Sequence, residues 1–151
     1  MKNIALAALA LFLFTGLALA GGGLDDFLNS VNIQARADLD GFSARLGAQF
    51  GVPEAQVRMV IGSVRQPADA FMCLQLGQWT HRQPEEVVRV YQANRGKGWG
   101  VVAKSMGIKP GSAEFHALKR GDLSFTGQPA GEPGYGPGQG KGKGKGRGHN
   151  K

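Results

Sequence analysis

The residues able to act as metal ligands, nucleophiles or proton carriers are few in this sequence and lie far apart. The histidines are His81, His116 and His149, and no two of them stand at the i, i+4 spacing that puts a pair of imidazoles on one helix face. Cys73 is the single cysteine, so the chain cannot form an internal disulfide or a multi-thiolate metal site. Its neighbours Phe71, Met72, Leu74 and Leu76 make it a small apolar core residue. Ser63 and Ser105 lie outside any Gly-x-Ser-x-Gly setting. The adjacent acids Asp25-Asp26 and Glu85-Glu86 fall near helix starts, where carboxylates stabilise the positive end of the helix dipole. The sequence thus offers no catalytic residue, no cofactor-binding residue and no metal-ligand set, and the expectation is a non-enzymatic binding or interaction protein.

What it offers instead is charge. There are 18 Lys and Arg against 11 Asp and Glu, a net of +7. Residues 24–94 are slightly acidic, whereas 95–120 carry Arg95, Lys97, Lys104, Lys109, Lys119 and Arg120 against Glu114 alone. Further on, Lys141, Lys143, Lys145 and Arg147 alternate with glycine between Gly140 and Gly148. These ten cations are the candidate anion-binding residues. The partners they imply are polyanions: lipopolysaccharide, anionic lipid, acidic polysaccharide or extracellular DNA. An envelope protein is the other partner class. Each cation near an anionic membrane contributes about 1 kcal/mol, screened by salt.

The flanks of the chain are distinct from its middle. Lys2 precedes an uncharged apolar run from Ile4 to Phe14, followed by Thr15-Gly16 and then Ala18-Leu19-Ala20. This order of basic, apolar and small-residue regions is that of a secretory signal over 1–20, with cleavage expected after Ala20. Gly21, not Cys, follows, so no lipid attachment is expected. No later segment is long and apolar enough to cross a bilayer. The expected location is periplasmic or secreted in a bacterium. Residues 121–151 hold 11 glycines and few apolar groups, the composition of a disordered tail. Residues 24–120 remain for one globular domain.

Within that domain, residues 31–50 alternate apolar and polar. Val31, Ile33, Ala35, Ala37 and Leu39 precede Asp40-Gly41, and Phe42, Ala44, Leu46, Ala48 and Phe50 follow. Period two on both sides of an Asp-Gly pair predicts a two-stranded β-hairpin with one apolar face. Residues 53–120 read as four to five short helices. Pro53, Pro67 and Pro84 mark starts, Ser112 is an N-cap, and Gly96, Gly107 and Gly121 mark stops. The stretch from Phe71 to Trp79 is apolar over a wide arc, which marks the most buried helix. The expected fold class is therefore α+β, a hairpin packed on a small helical bundle.

Two resemblances lie in the basic block. Ala103, Gly107, Ile108 and the Ser112-capped segment partly resemble a helix-turn-helix over 99–120, which implies an alternative function in DNA binding; Ala113 stands where that motif usually has Val or Ile. The segment Gly96-Lys97-Gly98-Trp99-Gly100 through Lys109-Pro110-Gly111-Ser112 and Glu114-Phe115-His116-Ala117-Leu118 resembles a group of uncharacterised small exported bacterial proteins, which implies export and a compact domain over about 50–120. The Gly-Lys-Gly spacing fits neither phosphate-binding glycine fingerprint; the glycines permit a tight turn while Trp99 plugs the core. A third reading places a cryptic envelope enzyme at a cleft near Trp99 and His116, and requires a carboxylate beside that histidine.

Overall fold

The computed structural model describes residues 23–127, and the signal-like segment and the Gly/Lys tail lie outside the described residues. Seven helices run in order: α1 Leu24–Ala37, α2 Leu39–Phe50, α3 Glu54–Ser63, α4 Pro67–Thr80, α5 Pro84–Ala93, α6 Trp99–Ser105 and α7 Ala113–Arg120. Among the described residues there is no strand.

The hairpin expected over 31–50, and with it the α+β class, is therefore corrected: this stretch is two helices. Two physical reasons account for it. Four of the ten alternating apolar residues are alanines, the strongest helix formers and weak strand formers. The buried positions of α1 also follow helical spacing, with Val31, Asn32 and Ala35 inward. Ile33 and Leu39, which the hairpin would have hidden, are 68% and 50% exposed. The Asp-Gly pair is no turn either. The Asp38 side chain accepts the Gly41 N–H at 2.8 Å, which makes Asp38 the N-cap of α2 and places Asp40-Gly41 in its first turn.

Several other element boundaries follow their local signals, although Pro53 stands one residue before α3 and α5 ends at Ala93, ahead of Gly96. α4 begins at Pro67 and α5 at Pro84. Ser112 caps α7 by accepting the Phe115 N–H at 3.2 Å. After α6, Gly107 adopts φ +92°, and the Ile108 N–H reaches the Ala103 carbonyl at 3.0 Å. With the Gly107 N–H on Lys104, this is a Schellman closure, and Ile108 is buried behind it.

α4 is the axis of the bundle, with every residue from Ala70 to Gly77 buried. The rings of Phe27, Phe50 and Phe125 lie 5.0, 5.5 and 6.1 Å from that of Phe71. Phe125 belongs to the segment after α7, so the packed body continues past residue 120. Gln49 holds this segment: its amide donates to the Ser124 carbonyl at 2.7 Å, and its oxygen accepts the N–H groups of Thr126 and Gly127 at 3.0 and 3.1 Å. Arg45 lies over the Phe125 ring at 4.9 Å. Cys73 is fully buried, and burial followed by nearby Asp69 raises its thiol pKa well above the ordinary value.

Candidate functional site

Two cavities meet at Trp99 and share Asp25 and Gly98 as well. Trp99 opens α6 and stacks on Tyr91 of α5, with ring centroids 5.2 Å apart and planes at 21°. The turn that brings it there needs glycine: Gly96 and Gly98 have φ of +82° and +86°. The structure thus gives Trp99 a wall position, half-buried between the two cavities.

The first cavity, about 500 Å³, lies between the start of α1 and the facing sides of α6 and α7. Lys97, Lys104 and Lys119 line it, with Trp99 and Phe115 as apolar wall. No ion pair or hydrogen bond among the described residues engages these lysine side chains, and all three residues are exposed. With Asp25 the one acid in the lining, three unpaired ammonium groups leave the concavity net positive and attract anions there.

The second cavity, about 650 Å³, lies on the other side of Trp99 against α1, α4 and α5. Its floor is a polar network whose members satisfy one another. Asn32 donates to the Gln66 side-chain oxygen at 2.6 Å and accepts the Ala68 N–H at 2.9 Å. Asp69 accepts the Gln66 N–H at 3.1 Å and the Tyr91 hydroxyl at 2.9 Å. Burial and the hydrogen bond to Asp69 raise the Tyr91 phenol above its ordinary pKa. Arg65 and Arg95 line the rim. The Arg95 guanidinium sits 6.0 Å from the Tyr91 ring centre.

Of the sequence-designated cations, then, the structure brings Lys97, Lys104 and Lys119 together and sets Arg95 across Trp99 from them. Lys109 and Arg120 line neither cavity, and Arg120 pairs with Asp122 at 2.7 Å. Lys141, Lys143, Lys145 and Arg147 lie outside the described residues. The sequence reading passed over Arg65, Asn32 and Asp69. One signal for Asp69 is its place three residues after Gln66, the spacing of a helix-start capping pair.

His116 is exposed, lines neither cavity, and meets no carboxylate in any ion pair or hydrogen bond among the described residues. The geometry that the cryptic-enzyme reading requires is not formed there. No cluster of three or more His, Cys, Asp or Glu able to hold a metal occurs among the described residues. The α6–α7 connection runs over residues 106–112, longer than the three or four residues of a helix-turn-helix turn. No family model matches this chain, and neither the curated proteins nor the solved structures contain a match to it.

Proposed function

We propose that this chain is an exported, non-enzymatic binding protein that engages anionic polymers of the bacterial cell envelope. The observation that carries this reading is the convergence of Lys97, Lys104 and Lys119 on one cavity beside Trp99, none of them in an ion pair among the described residues and Asp25 the one acid in the lining. Such an arrangement favours anions by charge and leaves Trp99 and Phe115 as an apolar surface for whatever carries the charge. The Gly-Lys tail adds cations that strengthen the attraction. Export rests on the order of basic, apolar and small residues in 1–20.

Binding to an immobilised polyanion, measured as salt rises, tests the reading. The chain with Lys97→Gln, Lys104→Gln and Lys119→Gln should bind more weakly at low salt. Its salt dependence should be shallower by about the release of three counter-ions. Equal binding and equal salt slopes for the native and triply substituted chains would remove the lysine cavity as the site. Export is tested separately by intact mass: material outside the cytoplasm should begin at Gly21.

A further inference from the structure

We propose that the cavity rimmed by Arg65 and Arg95 binds the carboxylate and ring hydroxyls of a uronic acid unit, so that the polymer running past Trp99 into the lysine cavity is an acidic polysaccharide. This rests on the polyanion reading and narrows it to one ligand class.

Four observations carry it. First, the donors at the start of α4 are already used: Asn32 takes the Ala68 N–H and Asp69 takes the Gln66 N–H. The start of α4 is therefore not free for an anion in this cavity, and Arg65 and Arg95 are its cationic donors. Second, Arg65 and Arg95 form no ion pair among the described residues, and a guanidinium presents a planar fork matched to a carboxylate. Third, the lining is balanced in charge. Asp25 and Asp69 face the same space as the two arginines, and Asn29 and Asn94 add amides. Those two carboxylates oppose any polyanion, so selectivity rests on the hydroxyls that the mixed lining can bond. A sugar ring with one carboxylate and several hydroxyls matches one anion site surrounded by mixed donors and acceptors. Fourth, at about 650 Å³ the cavity falls in the range of about 300–1,000 Å³ typical of small-molecule sites, and the Tyr91–Trp99 stack walls one side.

The cavities adjoin at Asp25, Gly98 and Trp99, so a linear chain seated in one continues into the other. The arginine cavity then supplies selectivity and the lysine cavity supplies general attraction.

The test uses the full mature chain and two charge-preserving substitutions, Arg65→Lys and Arg95→Lys, made together at exposed positions. The probes are a short oligogalacturonate, the same oligomer with its carboxylates methyl-esterified, single-stranded DNA, and phosphatidylglycerol vesicles. The native chain should prefer the free oligogalacturonate over the esterified one. The double Arg→Lys chain should lose at least about tenfold in affinity for the free oligomer while keeping its affinity for DNA, because charge is retained and only the fork is lost. Three results would overturn the inference: equal affinity of native and Arg→Lys chains for oligogalacturonate, equal loss toward oligogalacturonate and DNA, or tighter native binding to DNA or vesicles. If those results come with weakening by the lysine substitutions, the polyanion reading stands alone. If the native chain binds none of the four probes, both readings fail.

Discussion

The side-chain oxygen of Asn32 on α1 accepts the backbone N–H of Ala68 on α4 at 2.9 Å, across 36 residues of sequence. A first-turn donor that no residue of α4 can satisfy is satisfied by another helix, and the same amide donates to Gln66. Asn32 is 6% exposed, so this bond both caps α4 and sets how α1 lies along it.

Removing that oxygen leaves the Ala68 N–H without a partner in a buried setting. Asn32→Ala should destabilise the body by about 1–3 kcal/mol in urea unfolding. Asn32→Asp keeps the acceptor and should retain part of the loss. A cost for Asn32→Ala below about 0.5 kcal/mol would mean that water replaces the lost acceptor.

Alkaline pH should expose Cys73. Its folded pKa is raised by burial, so the native thiol stays protonated while the unfolded thiol ionises above about pH 8.5. The unfolded state then binds fewer protons, and stability falls as pH rises, by up to about 1.4 kcal/mol per pH unit. Tyr91, also raised, adds a further fall once pH passes about 10. Urea midpoints followed upward from neutral pH should bend near the thiol value in the native chain. In Cys73→Ala the first bend should vanish. Persistence of the bend in Cys73→Ala would assign it to another group.

Gln49 should control the last described segment with little effect on the rest. Its three hydrogen bonds all go to the backbone of Ser124, Thr126 and Gly127. Gln49→Ala should raise amide exchange at Thr126 and Gly127 by about fivefold or more, the effect of losing roughly 1 kcal/mol of local protection. Exchange in α4 should stay close to native. Uniform acceleration throughout the body would show that the segment and the bundle open as one unit.

Gly121 ends α7 at φ +70°, and a Cβ there would lie 2.4 Å from the Gly23 carbonyl carbon. Gly111 has a similarly positive φ of +92° with nothing within 4 Å of a Cβ. Gly111→Ala should therefore cost about 1–2 kcal/mol, from backbone conformation alone. Gly121→Ala should cost more than that, because α7 must also move away from the start of α1. Equal thermal shifts for the two variants would mean that this junction yields freely.

Much of the helical part was legible because its punctuation is local. Pro67, Pro84, Ser112, Gly107 and Gly121 act through a missing donor, a side-chain acceptor or a left-handed conformation, all of which belong to one residue and its neighbours. The first two helices were misread because a polar residue sits in their core face. Asn32 interrupts the helical stripe that joins Val31 to Ala35, and the exposed Ile33 fills the gap in a period-two pattern. Burial of Asn32 depends on a partner in α4, which no local window contains. The lysine cavity was legible as a basic stretch but not as a cavity. Which of its cations converge depends on the crossing of α6 and α7, and that crossing leaves Lys109 and Arg120 outside. Arg65 carried no signal in a segment of net negative charge; only the fold sets it near Arg95.

Phe125 contacts Phe42 and Phe71, ring to ring, at the end of the described chain. The aromatic centre of the bundle is thus completed by a residue that follows all seven helices in the chain. A nascent chain that has delivered α1 through α7 still lacks one ring of its own interior. Until residues 121–127 dock, the sides of Phe42 and Phe71 that Phe125 covers stay open to water, although Phe27 and Phe50 already pack on Phe71.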